Sequence, residues 1–328
     1  MLNLERLRVL QAVARHGSVT AAAAELHVTT SAVSQQLARL ERESGTTLVE
    51  RNGRGIRLTD SALLLAGHAQ AILSLAEQAQ ADVAAQAGAV AGRLVLASLP
   101  TATRGLAAPA LRHLAAAHPA LRVELIEADS SESVPALVQG TVDLVIAHDW
   151  SNAPLSAPDG VTRALLHEDR ADIAVPATHP LARPAQNGDR DGAVAELSQF
   201  GAGPWICGSP GGSCHDWLTF TLRSAHLEPQ IAHTADEYAT QLALVAAGLG
   251  IAVMPRLGRG QVPEGVRMVA VRPALRRNIW ALWRTTAARR PAISAAVAAL
   301  RAVAPADPEF EPGQQGADEL SSRADPAR

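Results

Sequence analysis

The chain has 328 residues, 48% of them hydrophobic, and a formal net charge of −3 at neutral pH. That length suggests about two domains with enough apolar material for sizeable cores, and the near-neutral charge excludes a global basic field that would hold nucleic acid by charge alone. Glu5, Arg6 and Arg8 interrupt the start, so no signal peptide is legible; the longest apolar run, 242–255, is too short to span a bilayer. The expected location is cytoplasmic, with both cysteines reduced.

Residues 21–26 are alanine-rich with high helix propensity, and Ser18 stands where a cap would start them. The run stops at His27-Val28-Thr29, where two β-branched residues replace alanines. Thr29 can cap a second helix, 30–41. There Val33, Leu37 and Leu40 recur at spacings of four and three and so form a buried face. Thr30, Ser31, Ser34 and Gln35 lie on the other face. They are short, and glutamine can pair two-pronged with an adenine edge, whereas an ordinary surface helix would carry Glu and Lys there. Two short helices joined this tightly suit the major groove of DNA.

A small hairpin is predicted next. Leu48-Val49-Glu50-Arg51 and Ile56-Arg57-Leu58 flank Asn52-Gly53-Arg54-Gly55, and Asn-Gly between two strand-like runs is a strong hairpin signal. Arg51 and Arg54 on such a wing suit a phosphate or the narrow minor groove. Standing alone, it would read as a solvated basic hairpin. Residues 1–60 hold eight Arg against six Asp plus Glu, a balance of +2. Affinity must then come from local arginines and from doubling the head.

The segments Leu4-Glu5-Arg6-Leu7, Gly17-Ser18, Ala22-Ala23-Ala24-Glu25-Leu26, Val28-Thr29, Ser31-Ala32-Val33-Ser34-Gln35-Gln36-Leu37, Leu40-Glu41, Glu50-Arg51 and Leu58-Thr59 together resemble the winged helix-turn-helix of LysR-type transcriptional regulators. Leu10, Val19 and Val49 depart from it, sitting where the family usually has an aromatic residue, and Ala62 sits where glycine is common. The resemblance implies double-stranded promoter DNA as a partner. The residues expected to meet it are Thr20, Thr29, Thr30, Ser31, Ser34 and Gln35, with Arg51 and Arg54 from the wing; the winged domain is expected to span 1–58.

From 59 to 88 no proline interrupts a helical composition. Leu65, Ala69, Ile72, Ala76, Ala79 and Val83 step by fours and threes, a heptad seam with small residues. The alternative is an amphipathic helix packed on its own domain; the family resemblance favours a dimerising linker, giving a homodimer or homotetramer. After glycines at 88 and 92 the pattern changes to alternating strand and helix over 92–303, which predicts a parallel sheet with helices on both faces. Two rounds of it predict two lobes, 92–161 with 268–303 and 162–267, around a cleft. The stretch 244–255 resembles the periplasmic-binding-protein-like effector domain of the same regulators.

Ligands in such sheets sit beyond the carboxyl ends of strands. This nominates Ser98, Thr101 and Thr103 after the first strand, Ser130 after the second, His148 after the third, and Ser209 in a Gly-rich loop across the cleft. Hydroxyls at helix starts make an anion seat, although each alone reads equally as a cap. A small anionic effector is expected. Cys207 and Cys214 fit no zinc motif; because some members of the family sense peroxide through a cysteine pair in this lobe, a thiol switch stands as an alternative. No catalytic residue, metal or cofactor is expected, and RNA polymerase is a partner if the protein activates. A solute-binding module is the rival from another class, but it would not begin with this head. Residues 184–191 read as an exposed loop and 304–328 as a disordered tail.

Overall fold

Asn3 starts the first helix, its side chain accepting from the Glu5 and Arg6 amides of α1 (Leu4–His16), which ends on Gly17 at φ +62°. In α2 (Val19–Glu25) the Ser18 hydroxyl accepts from Ala21 N–H, and in α3 (Thr30–Ser44) Thr29 accepts from Ala32 N–H. The stop between them is more specific than a pair of β-branched residues. His27 adopts φ +52°, its amide donates to Ala24 C=O at 3.2 Å, and Val28 N–H reaches back to Ala23 C=O at 3.0 Å. That is a Schellman-type helix end with histidine in the left-handed position. Strands β1 (Val49–Asn52) and β2 (Gly55–Leu58) pair antiparallel. The wing is tied to α3 by the Glu41 carboxylate, which accepts from the Leu48 and Val49 amides at 2.8 and 3.1 Å.

The computed structural model describes residues 2–52, 55–88, 90–182, 194–201 and 203–305. Arg54, the loop 184–191 and the tail from 306 lie outside them, as does the side chain of Arg51.

Helix α4 (Asp60–Ala87) begins with the Thr59 hydroxyl accepting from Ala62 N–H and runs about 40 Å at 1.5 Å per residue. Its packing corrects the seam. Ala69 is fully buried in its own chain's head, together with Ala62, Leu65, Ala66 and Leu73 against α1. Among the described side chains of this helix, the large apolar residues left outward are Leu63 (54% exposed), Leu64 (67%), Leu75 (67%) and Val83 (69%), with Ile72 at 37%. A helix turns 100° per residue, so one apolar face of α4 packs on its own chain's head, and the first half of the expected seam is spent there.

The second domain starts with β3 (Gly92–Ser98), α5 (Pro100–Ala102), a π-helical turn Thr103–Ala107, α6 (Ala108–Ala117), β4 (Leu121–Glu127), α7 (Ser130–Gln139) and β5 (Leu144–Trp150). The two faces of this sheet follow the strand period of two. Leu94, Leu96, Leu144 and Ile146 pack under α6 and the last helix, α10 (Pro291–Val303); Val95, Ala97, Val145 and Ala147 pack under α7. Next come β6 (Val161–Pro176), β7 (Val194–Glu196), β8 (Pro204–Cys207), α8 (Ser213–Ser224), β9 (Gln230–Thr234), α9 (Tyr238–Ala246), β10 (Ala252–Pro255), β11 (Val266–Arg272) and β12 (Leu275–Arg284).

The large sheet has the order β4-β3-β5-β12-β6-β11-β7, with β10 also on β6. It is mixed rather than parallel: β12 runs antiparallel to β5 and β6, and β10 and β11 run antiparallel to β6. The passages between lobes differ from breaks at 161 and 268. The first half of β6 pairs with β12 beside β5, while its second half pairs with β10 and β11, so the chain crosses inside the strand near Asp169–Ala171. The return falls near Leu275–Arg277, since β11 pairs with the second lobe's strands. Continuous strands keep their ladder hydrogen bonds satisfied through the crossing, which a loop could not do.

Candidate functional site

The helix-turn-helix presents Thr20, Thr29, Thr30, Ser31, Ser34 and Gln35 to solvent, opposite the buried Val33, Leu37 and Leu40. Ser34 donates to the Thr30 carbonyl at 3.0 Å and the Thr29 hydroxyl is occupied as a cap. Arg39 and Arg42, which sequence reasoning passed over, are exposed on the next turns of the same helix. Their spacing of four and seven from Gln35 could have flagged them. Arg6 on α1 pairs with Gln36 and Glu43, and Arg15 pairs with Glu25 at 2.6 Å, bracing α1 against α2 and α3.

The second site lies where the lobes meet. Arg277 is fully buried on β12, directly opposite Asp169 on β6, and its Nε donates to the carboxylate at 2.8 Å. Its Nη2 donates to the Thr101 hydroxyl at 3.0 Å. The other Asp169 oxygen accepts from Leu257 N–H at 2.9 Å. Beside this pair, Gly258 at φ +63° presses on the Thr101 carbonyl; a Cβ there would lie 2.0 Å from that oxygen. Only glycine permits this approach. Sequence reasoning missed Arg277, yet a signal existed: it falls in phase with Leu275, Ile279 and Ala281 on the buried side of its strand.

Of the nominated residues, Thr101, Ser130 and His148 gather here. Thr101 and Thr103 lie in helical turns rather than a loop, because the helix already starts at Pro100. His148 sits within β5, not after it, and its amide donates to the Ser130 hydroxyl at 3.3 Å. Ser98 is buried at the end of β3 with its hydroxyl on Leu99 C=O. Ser209 stays apart: it is exposed, and Asp236 holds both its amide and hydroxyl at 2.7 and 2.9 Å. Across the cleft, Trp150 stacks on Trp217 at 3.5 Å between ring centres, and Asn152 bonds both Trp217 and Thr221. These contacts latch the end of β5 to α8.

Burial, helped by the Arg277 charge, pulls the His148 imidazole down to about 4. Between pH 6.5 and 4, then, the unfolded chain holds a proton that the folded chain lacks. Stability is full above 6.5 and is lost as pH falls. At 1.36 kcal/mol per unit, urea denaturation should show wild type losing about 2 kcal/mol more than His148→Asn between pH 7 and 5.

Cys207, Cys214, Trp150, Trp217, Tyr238 and Gln241 line a cavity of about 10 Å³, room for one water. Cys214 Sγ lies 3.5 Å from the Tyr238 hydroxyl. Burial pushes Cys207 up to about 12 and raises Cys214 as well. Both cysteines are free, and among the described residues no three His, Cys, Asp or Glu side chains cluster to hold a metal. Among those residues no helix is long and apolar enough to cross a membrane.

Comparison with known proteins agrees with both halves. Residues 4–63 match the bacterial regulatory helix-turn-helix protein, lysR family, and residues 87–305 match the LysR substrate binding domain. The chain is 31% identical over 265 residues to the regulator TtuA of Agrobacterium vitis, covering 78% of this chain and 81% of that one. It is 29% identical over 305 residues to the probable regulator LrrA of Synechococcus elongatus, covering 93% and 98%. A full-length OxyR variant from Pseudomonas aeruginosa superposes with TM-score 0.64 at 21% identity, covering 92% of this chain and 98% of that one. Full-length CbnR complexed with its target DNA superposes with TM-score 0.53 at 25% identity, covering 92% and 100%. The chain belongs to the LysR family: it is a LysR-type transcriptional regulator, with a DNA-binding helix-turn-helix head and an effector-binding domain, and not an enzyme.

Proposed function

We propose that this regulator acts in the cytoplasm as a homodimer, or a dimer of dimers, whose paired heads read two related half-sites in promoter DNA. The observation that supports it most is the exposed small polar face of α3 set beside the wing. Ser31, Ser34 and Gln35 are placed to meet base edges. Thr20, Thr29 and Thr30 flank them, and Arg51, Arg54, Arg39 and Arg42 supply phosphate contacts. The outward Leu64, Ile72, Leu75 and Val83 of α4 are the surface for the twin helix. CbnR, similar over its whole length, was captured on its target DNA, which supports the same use of the head here. Because the head carries so little net charge, contacts to phosphates must be local. Fluorescence anisotropy on a promoter duplex should show affinity falling ~10³-fold or more between about 50 and about 200 mM salt if about six phosphates are neutralised. A fall below about tenfold would remove the phosphate grip.

The cleft is the effector site in this reading, built by Ser98, Thr101, Thr103, Ser130 and His148 with Arg277, for a small anionic metabolite. Ser209 is left to its Asp236 contact. Ligand binding would alter the latch between lobes, which requires different affinity in the two arrangements. Contact with RNA polymerase follows only if the protein activates. A thiol switch at Cys207 and Cys214 is disfavoured because raised thiol pKa values oppose the thiolate that an oxidant attacks.

A further inference from the structure

The wing leaves the head through a short root, Thr47 to Val49, and two kinds of contact hold that root. Leu48 is fully buried in the head's core, and Val49, Ile56 and Leu58 pack half-buried on the same core. Apolar contact is non-directional. It fixes how deep the root sits but not the angle at which β1 leaves the head. That angle is set by polar bonds. The Leu48 and Val49 amides converge on one oxygen of the half-buried Glu41 carboxylate, at 2.8 and 3.1 Å. From the far end of the wing, Thr59 donates its amide to the Leu48 carbonyl at 3.0 Å and its hydroxyl to the Thr47 carbonyl at 2.9 Å. Glu41 stands on α3, the helix that also carries Gln35, so the recognition helix itself supplies the acceptor that holds the wing.

We propose that Glu41 is a positioning residue for DNA binding: it aims the wing so that Arg51 and Arg54 reach the phosphate backbone while α3 reads base edges. This rests on the reading of α3 and the wing as one DNA surface. Asn52, four residues beyond Leu48, ends β1, about 13 Å away at ~3.3 Å per residue. A swing of about 10° at the root moves that end by about 2 Å, more than a hydrogen bond tolerates. A carboxylate repels phosphate, so Glu41 contributes through its two bonds to the root and not through its charge. Amide donors bond a carboxylate strongly, and a neutral side-chain amide oxygen offers the same two lone pairs. Glutamine at this position therefore preserves the geometry while removing the charge.

The test uses the full-length protein and a duplex bearing one half-site enriched by wild type from a random-sequence pool, with affinity followed by fluorescence anisotropy across salt concentrations. Arg51→Ala/Arg54→Ala should flatten the slope of log affinity against log salt by about 1.8, ~0.9 for each of two phosphates. Glu41→Ala should flatten it by a similar amount while base preference at every position stays that of wild type. Glu41→Gln should restore the wild-type slope, although it removes the same charge. If Glu41→Ala does not fold by circular dichroism, Glu41→Asp, which keeps the charge but draws it back by one methylene, is measured in its place with the same flattening expected. A folded Glu41→Ala or Glu41→Asp with the wild-type slope overturns the proposal, because the bonds then only stabilise the head. Glu41→Gln as flat as Glu41→Ala overturns it too, because the charge then acts directly, and so does a loss of base preference, which would mean that α3 itself has shifted. A wild-type slope in Arg51→Ala/Arg54→Ala marks a different failure: the wing grips no phosphate, and the reading on which the proposal rests falls with it.

Discussion

Replacing Arg277 by methionine should destabilise the effector domain by about 3–5 kcal/mol, the cost of stranding one member of a buried pair. Asp169 would keep the Leu257 amide as a partner but lose the cation that balances its charge, which stays enclosed. The Thr101 hydroxyl would lose its donor at the same time. The pair also spans β6 and β12 at the crossing between lobes, so the loss strikes the element that sets lobe geometry. Asp169→Asn/Arg277→Gln should recover much of the stability, because neutral amides need no compensating charge. Urea denaturation followed by circular dichroism reads both. A loss under about 1 kcal/mol for the methionine variant would mean that water already solvates the junction.

The second large effect concerns doubling of the head. Leu64→Asp/Leu75→Asp should leave the monomer's stability unchanged, since both side chains are already exposed. It should nevertheless lower affinity for a two-half-site duplex by ~10²–10⁴, the gain that linking two binding modules brings. Sedimentation equilibrium should show the variant as a monomer, and its affinity for a single half-site should match that of wild type. A variant that stays dimeric with full affinity would move the interface elsewhere.

How much was legible followed from how local the physics is. Ser18, Thr29 and the Val33-Leu37-Leu40 stripe act within one helix, and the sequence placed them. The Asn-Gly hairpin was equally local. The end of α2 was read at the right place for an incomplete reason, because His27 in a left-handed conformation leaves no compositional mark. The seam on α4 was half misread because period alone cannot tell an intrachain neighbour from a twin. Strand direction was missed for the same cause: alternation of elements suggests parallel pairing, but β6 and β12 run through both lobes as long antiparallel partners. The cleft residues were nominated from strand ends, and of them Thr101, Ser130 and His148 lie together at the lobe junction. Arg277 lies mid-strand, and only its phase with Leu275 and Ile279 betrayed it. Ser209 was nominated with them, and Asp236, 27 residues away, holds its hydroxyl.

The central claim is that α3 reads bases while paired heads set the spacing. Selection of bound duplexes from a random-sequence pool, by wild type and by Gln35→Ala, tests it most directly. Wild type should enrich two inverted half-sites separated by roughly one helical turn or a multiple, about 10 base pairs. Gln35→Ala should keep that spacing but lose preference at one position in each half-site, with a cost of about 1–3 kcal/mol there. Enrichment of no sequence by wild type, or an unchanged preference at every position in the variant, would contradict the account.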